Sequence, residues 1–256
     1  MHVVCVNVGA KFPDTYVERM FHMCRRHLPG LQRFTCFTDR RRHLSPEVRQ
    51  VDCSDWGLSG WWPKLRLFDR RVLDEPFLFL DLDQIVLRPL DRMVRFVDER
   101  PDAPVLGMQD FLYQTFSSSI LYVRPSNETQ VVWDSFACGE RYEADGRSSG
   151  DQDFIEGCLR AKGLSDILST FPSEWFVSYK VLRKETRGQT ALARERIKNA
   201  LFLVFHGRPM PHEVLQPWRS LLYLLQHKPL RAFQYWRFLE KEVRQFWCLE
   251  DAATDP

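Results

Sequence analysis

The hydrophobic residues of the chain form short apolar runs that alternate with segments of helical spacing. The apolar runs predict strands over residues 3–8, 34–38, 77–80, 105–108, 120–123 and 201–205. Apolar positions three and four apart predict helices over residues 16–28, after Pro63, near 129–137 and near 151–161. A continuous apolar run such as 77–80 is typical of a strand covered on both faces, as in a parallel sheet between helices. The pattern therefore predicts an α/β fold with a mostly parallel central sheet.

The last part of the chain has a different pattern. Between Trp218 and Trp247, leucines and aromatic residues recur at helical spacing among basic residues, with a break around Lys228-Pro229. We expect one domain over residues 1–215 and a C-terminal appendage of amphipathic helices over 216–256. These helices are expected to pack on the domain or on a second copy in a homodimer. A basic amphipathic helix can also lie on an anionic surface, here the inner membrane face.

Composition narrows the class of protein. The chain has 256 residues, 44% hydrophobic and 27% charged, which is enough to bury a core. Its net charge of +2 lacks the basic excess of a nucleic-acid binder, so no nucleic-acid partner is expected. No apolar run approaches the ~20 residues of a membrane helix, and no export signal opens the sequence. Seven scattered cysteines without a Cys-x-x-Cys pair indicate reduced thiols rather than a zinc site. We therefore expect a cytoplasmic protein.

Two carboxylates follow the apolar run at residues 77–80. Asp81 and Asp83 are separated by Leu82, and residues two apart in an extended chain point the same way. Ligands of α/β sheets collect beyond the carboxyl ends of the strands. Paired hard oxygen donors favour Mg²⁺ or Mn²⁺, often with substrate phosphates completing the coordination. The alternative interpretation is an acidic turn that caps the following segment.

A histidine closes a second apolar run. His206 follows residues 201–205 and precedes Gly207, where the absent side chain permits close backbone approach. Its imidazole could supply a nitrogen ligand beside Asp81 and Asp83, and two carboxylates with one imidazole suit manganese. A lone histidine is more often a structural or surface residue.

Two further segments carry candidate chemistry. The segment Asp151-Gln152-Asp153 begins a helix. An acidic residue there either caps the helix or binds hydroxyl groups of a ligand in a cleft. Lys64, in Gly60-Trp61-Trp62-Pro63-Lys64-Leu65, could neutralise a phosphate or be a surface lysine. The eight tryptophans serve core packing or stack on ring-shaped ligands.

Taken in order, these segments resemble GT-A-fold glycosyltransferases of the glycogenin and bacterial lipopolysaccharide galactosyltransferase kind. The resemblance covers residues 3–215 and rests on the order and spacing of the motifs. The matching segments are 3–9, Thr38-Asp39, Trp62-x-Lys64-Leu65, Asp81-x-Asp83, Phe116-Ser-Ser-Ser119, Asp151-Gln-Asp153, Ser178-Tyr-Lys180 and His206-Gly207.

The resemblance implies a transfer of sugar from a nucleotide-sugar donor, a UDP-sugar, to a saccharide or glycoconjugate acceptor. It places Asp81, Asp83 and His206 on Mn²⁺ or Mg²⁺. It implies that Asp151 and Gln152 line the sugar and the reaction centre, and the candidate catalytic residues are Asp151, Gln152 and Asp153. The positions expected to bind the donor are Asn7, Val8, Gly9, Asp39, Lys64, Leu82, Ser118 and Gly207. The relatives imply retention of configuration; in an inverting reaction Asp151 or Asp153 would be the base.

The chain departs from the family at Ser117 and Ser119, where asparagine and glycine are usual, and at Met210, where a lysine precedes the proline. Arg208 is a candidate substitute for that lysine. These departures motivate one alternative, a non-catalytic binding module with a degenerate cleft. Another is a haloacid-dehalogenase-type phosphatase in which Asp81 attacks phosphate and Asp83 is the acid/base. That family places its motif near the N-terminus.

Overall fold

A computed structural model describes residues 1–113, 115–143, 149–216 and 229–247 of the protein. It divides into two compact units. The first comprises Met1–Val17, Pro29–Leu82 and Asp91–Ser173, and the second comprises Glu18–Leu28, Asp83–Leu90 and Glu174–Pro256. Helix α1, Asp14–His27, passes from the first unit into the second. The predicted boundary at residue 215 stays a prediction.

The first unit is built on a seven-stranded sheet. Its strands are β1 His2–Asn7, β2 Arg33–Thr38, β3 Val48–Asp52, β4 Phe77–Leu80, β6 Val105–Gln109, β7 Phe116–Val123 and β8 Leu168–Thr170, in the spatial order β3-β2-β1-β4-β7-β6-β8. Neighbouring strands are parallel except where β7 pairs with β4 and with β6. The mostly parallel α/β sheet expected from the sequence is thereby confirmed.

Apolar side chains of the sheet pack under helical segments. The 3₁₀ helix Trp62–Phe68, α3 Asn127–Ala137 and α4 Asp151–Ala161 pack on one another, and α4 also packs on β7. Their buried residues join a core with Phe79 and Leu121 of the strands. The first unit also contains α2, Asp91–Asp98. This packing fixes the positions of the polar groups that follow β4 and open α4.

The second unit contains a three-stranded sheet. Strand β5, Gln84–Val86, pairs antiparallel with β10, Phe202–Val204, which pairs parallel with β9, Phe176–Ser178. Its further helices are α5 Tyr179–Glu185, α6 Thr190–Asn199, α7 Pro211–Val214 and α8 Pro229–Trp247. Helix α8 packs on β5, α6 and α7. Its residues Tyr235, Leu239, Val243 and Trp247 recur every four positions and are buried, so this apolar face lies inside the unit.

The structure refines several predicted elements. The helix predicted after Pro63 is 3₁₀, and the strand predicted over 120–123 begins at Phe116, because the serines of 117–119 continue the ladder. The predicted helix over 151–161 is confirmed with those bounds. Of the two predicted C-terminal helices, the one after Lys228 is present, while the one before it lies outside the described residues. The described helices include none long and apolar enough to cross a membrane.

Candidate active site

Four candidate residues of the first unit lie at one edge of the sheet, which is formed by the carboxyl ends of β1, β2 and β4 and the start of the antiparallel β7. Asp39 follows β2, Gly9 follows β1, Asp81 follows β4, and Ser118 lies on β7. Since β2, β1, β4 and β7 are consecutive neighbours, these residues form a row along the sheet. Neighbouring strands are about 4.8 Å apart, so the row extends over about 15 Å. Such a row offers separate places for the parts of an elongated ligand.

One end of the row is formed by the loops after β1 and β2. Asn7 is opposite Thr38 in the parallel ladder, and the Gly9 N–H donates to the Asp39 carboxylate at 2.9 Å. Gly9 has a φ of +74°, a left-handed conformation that favours glycine. Asn7 is buried, and its side-chain Oδ1 has no hydrogen-bond partner within the part of the chain described. An unsatisfied buried acceptor at a strand end is suited to a ligand's N–H or O–H donor.

Arg42 holds these loops together and was not among the predicted residues. Its side chain is 1% exposed, and its guanidinium donates to the carbonyls of Asn7 at 2.8 Å and Gly9 at 3.0 Å. It also donates to Thr38 Oγ1 at 2.7 Å and to the Asp14 carboxylate at 3.0 Å. The planar guanidinium can satisfy several acceptors at fixed angles. In the sequence Arg42 is one of four consecutive basic residues, 40–43, so the pattern gave no signal for its burial.

A buried lysine occupies the other end of the row. The Lys64 side chain is 6% exposed, and its Nζ lies 2.8 Å from Asp151 Oδ2 and 3.4 Å from Asp81. The same ammonium donates to the backbone oxygen of Ser118 at 3.3 Å and to its Oγ at 3.2 Å. Ser118 Oγ in turn donates to Asp151. The structure thus brings together four predicted residues that span 88 positions of the chain.

The charges of this cluster are coupled. Burial lowers the pKa of Lys64, but Asp151 and Asp81 outweigh it and raise the pKa above its usual value, so the side chain is an ammonium. Burial and the charge of Asp151 raise the pKa of Asp81 against the opposing effect of Lys64, although a third of the Asp81 side chain is exposed. With both carboxylates ionised the cluster carries a net charge of −1. It therefore attracts a further positive charge at the sheet edge.

The three residues at the start of α4 have different surroundings. Asp151 is buried in the lysine cluster, whereas Asp153 accepts the Gly150 N–H at 2.8 Å and so caps the helix. Gln152 is partly exposed between them. Of the three, only Asp151 contacts Lys64 and Ser118. The catalytic roles of Asp151, Gln152 and Asp153 stay predictions.

In the second unit, two segments of the predicted motif order meet through β9 and β10. Ser178 is opposite Val204, and its Oγ lies 2.6 Å from His206 Nε2. Lys180 Nζ donates to the His206 carbonyl at 2.5 Å. Gly207 has a φ of +78°, and a Cβ there would lie 3.3 Å from Lys180 Nζ. Ser178 and Lys180 therefore position the His206 loop.

Asp83 also belongs to the second unit, where its carbonyl accepts the Phe205 N–H at 3.1 Å. This bond places Asp83 beside the residue that precedes His206. Leu82 is buried, so any contact with a donor would come from its backbone. Arg208, the candidate for the lysine replaced at Met210, is 83% exposed and lies 3.7 Å from Glu213.

A divalent cation fits these residues by donor type. Two carboxylates and an imidazole are hard and borderline donors suited to Mn²⁺ or Mg²⁺. Residues 1–113, 115–143, 149–216 and 229–247 contain no group of three His, Cys, Asp or Glu side chains already assembled to hold a metal. Asp81 is engaged by Lys64, and His206 Nε2 by Ser178. The assignment of a metal ion to Asp81, Asp83 and His206 stays a prediction.

The fold described above is that of known glycosyltransferases. No protein-family model and no curated protein matches the chain in sequence. Among solved structures, the chain is similar over its whole length to the galactosyltransferase LgtC solved with donor and acceptor sugar analogs. That similarity has a TM-score of 0.55 and 15% identity, and covers 98% of the LgtC chain.

Two other structures have the same fold. The glycosyltransferase GlyE of Streptococcus pneumoniae TIGR4 matches 94% of this chain with a TM-score of 0.59 and 14% identity, although this chain spans only 64% of GlyE. The bifunctional glycosyltransferase WbbM matches 82% of this chain with a TM-score of 0.52 and 13% identity, over 46% of its own length. The GT-A-type glycosyltransferase fold expected from the motif order is thereby confirmed.

Proposed function

We propose that this chain is a metal-dependent glycosyltransferase that moves a sugar from a UDP-sugar to a hydroxyl group of a saccharide or glycoconjugate, with retention of configuration. The observation that carries the proposal is the buried Lys64–Asp151–Asp81 cluster at the strand ends of a glycosyltransferase fold. Burial of charged groups costs desolvation free energy. A buried charged cluster at the edge of the sheet where ligands bind is therefore a candidate functional site.

In this proposal, each part of the donor binds at its own position along the row. The nucleoside would bind at Asn7, Val8, Gly9 and Asp39, where Oδ1 of Asn7 lacks a partner. The diphosphate would follow at Asp81, and the sugar would reach Ser118 and Asp151. Lys64, close to both Asp81 and Asp151, would lie beside the bond that breaks.

In the proposed reaction the bond between the anomeric carbon and the diphosphate oxygen breaks, and its electron pair remains on the diphosphate. The acceptor oxygen forms the new bond to the anomeric carbon, and its proton passes to the departing diphosphate. The Lys64 ammonium would stabilise the developing negative charge, while Asp151 would stabilise the positive charge on the sugar. Asp81, Asp83 and His206 would hold Mn²⁺ or Mg²⁺, which when bound neutralises diphosphate charge.

The proposal is tested by nucleotide diphosphate release from a panel of UDP-sugars with Mn²⁺. We expect release that stops with EDTA and that falls at least 100-fold in Asp151→Asn. Asp166→Asn, which changes an exposed carboxylate of the same unit, should retain wild-type activity.

Phosphate release from monoesters in place of nucleotide-sugar turnover would replace the proposal by the phosphatase alternative. If neither activity nor metal-dependent UDP-sugar binding by calorimetry is found, the chain is a non-catalytic module. Membrane contact and a homodimer stay predictions.

A further inference from the structure

The chain carries an exposed tryptophan three residues before Lys64. Trp61 is 50% exposed, and it is the single tryptophan left exposed among the residues whose burial the structure describes. Its neighbour Trp62 stacks on Phe136, with ring centroids 5.4 Å apart, and so anchors the segment. An exposed indole loses the benefit of burying a large apolar surface, and a ligand that covers it recovers that benefit.

The 3₁₀ helix places Trp61 directly above Lys64. The Lys64 N–H donates to the Trp61 carbonyl at 3.2 Å, and side chains three apart eclipse in a helix of three residues per turn. Trp61 lies one turn before Lys64 and is half exposed, whereas Lys64 is buried between Asp81 and Asp151. The indole and the ammonium therefore share one face of the helix.

Gly150 brings the same indole to the catalytic end of α4. A Cβ on Gly150 would lie 3.8 Å from Trp61 Nε1 and 4.0 Å from Cε2. Gly150 immediately precedes Asp151, so the edge of the indole borders the backbone that leads into the carboxylate. The backbone at Gly150 is extended rather than left-handed, and the conformation there does not require glycine. The absent side chain leaves this border open.

We propose that Trp61 is the platform on which the pyranose ring of the acceptor stacks. This inference rests on the proposed function. The apolar C–H face of a pyranose matches the electron-rich face of an indole, while polar groups beside it orient the hydroxyls. At the nucleoside end of the row, Gly9 follows β1 and Asp39 follows β2, which lie two and three strands from β7, the strand that carries Ser118. A ring on Trp61 thus lies at the end of the row that is away from the nucleoside, where an acceptor must approach.

Saturation-transfer NMR on the full chain tests the platform without a donor. The probes are methyl β-D-galactopyranoside, methyl α-D-glucopyranoside and lactose. We expect saturation of the ring protons of at least one probe, lost in Trp61→Ala and retained in Trp61→Phe, which keeps an aromatic face. Leu192→Ala, which removes another exposed apolar side chain, is the matched control and should behave as wild type. Absence of saturation in the wild-type protein, or equal saturation in Trp61→Ala, overturns the inference.

Kinetics separate this inference from the proposed function. UDP release to water, without acceptor, reports the donor reaction alone, and we expect Trp61→Ala to retain it within two-fold. The acceptor KM for the same glycoside should rise at least ten-fold in that variant and at most three-fold in Trp61→Phe. An equal loss of donor hydrolysis and of transfer in Trp61→Ala would show that Trp61 has a structural role and is not the acceptor platform. If the wild type turns over no UDP-sugar, the proposed function fails, and the NMR experiment still decides the platform.

Discussion

The ammonium of Lys64 lies 2.8 Å from a carboxylate oxygen of Asp151, although the two residues are 87 positions apart in the chain. A second lysine makes an ion pair of the same length: Lys162 lies 2.8 Å from Glu140, with both side chains more than a third exposed. The two pairs have equal geometry and different burial. They therefore provide a direct test of what burial contributes at the candidate active site.

Lys64→Met should destabilise the protein and impair the proposed reaction. It leaves Asp151 buried without its cation, and loss of one partner of a buried pair costs about 3 kcal/mol of the free energy of unfolding. UDP release should fall about 100-fold, as expected for one lost electrostatic contact to a transition state. Urea unfolding and initial rates measure the two effects. Lys162→Met should cost less than about 1 kcal/mol, and equal losses in both variants would contradict the role of burial.

Ser118→Ala should lower kcat/KM about ten-fold, because it removes a hydrogen bond to the Asp151 carboxylate. Ser119→Ala is the matched control. Alternate residues of a strand face opposite sides, and Ser119 pairs with Ser117 Oγ at 3.4 Å rather than with Asp151. Steady-state kinetics should find Ser119→Ala within two-fold of wild type. Similar losses of kcat/KM in both variants would show that a change in strand β7, and not the loss of the Ser118 hydroxyl, causes the effect.

Arg42→Met should loosen the loops after β1 and β2. It removes the donor shared by the carbonyls of Asn7 and Gly9 and the Asp14 carboxylate, so the free energy of unfolding should fall by about 3 kcal/mol. UDP binding, measured by calorimetry, should weaken with it. Arg40→Met removes one bond to the Gly9 carbonyl from a half-exposed side chain and should cost less than about 1 kcal/mol. Unchanged UDP affinity in Arg42→Met would show that these loops do not bind the nucleotide.

His27 should make the second unit acid-sensitive. Burial, with Arg26 and Arg88 nearby, lowers the pKa of His27 to about 4. Between pH 6.5 and 4 the unfolded chain binds a proton that the folded chain does not, so stability falls as the pH falls through that window. The loss levels off below pH 4 at about 3 kcal/mol or less.

Urea unfolding at several pH values checks this expectation. His27→Gln should flatten the dependence of the free energy of unfolding on pH. Parallel pH profiles for wild type and His27→Gln would show that His27 does not titrate in this way.

The fold class, and the sheet edge at which the candidate site lies, follow from the local pattern of the sequence. Apolar runs such as Phe77–Leu80 are fully buried, as their composition predicts, and polar residues that follow such runs fall at the carboxyl ends of strands. Local pattern is sufficient there, because burial of consecutive apolar side chains and the positions of strand ends depend on near neighbours. The bounds of α4 at Asp151 and Ala161 were predictable for the same reason.

Which polar groups meet depends on contacts between segments that are far apart in the chain. Lys64, Ser118 and Asp151 come from three separate elements, and the sequence left Lys64 open between a surface lysine and a phosphate ligand. It also gave no signal for Arg42, whose environment is made by the loops after β1 and β2. A charged residue has the same local sequence preference whether solvated or buried among partners. Its role therefore depends on long-range packing. That packing places Asp151 in the lysine cluster, whereas Asp153 accepts the Gly150 N–H and caps α4.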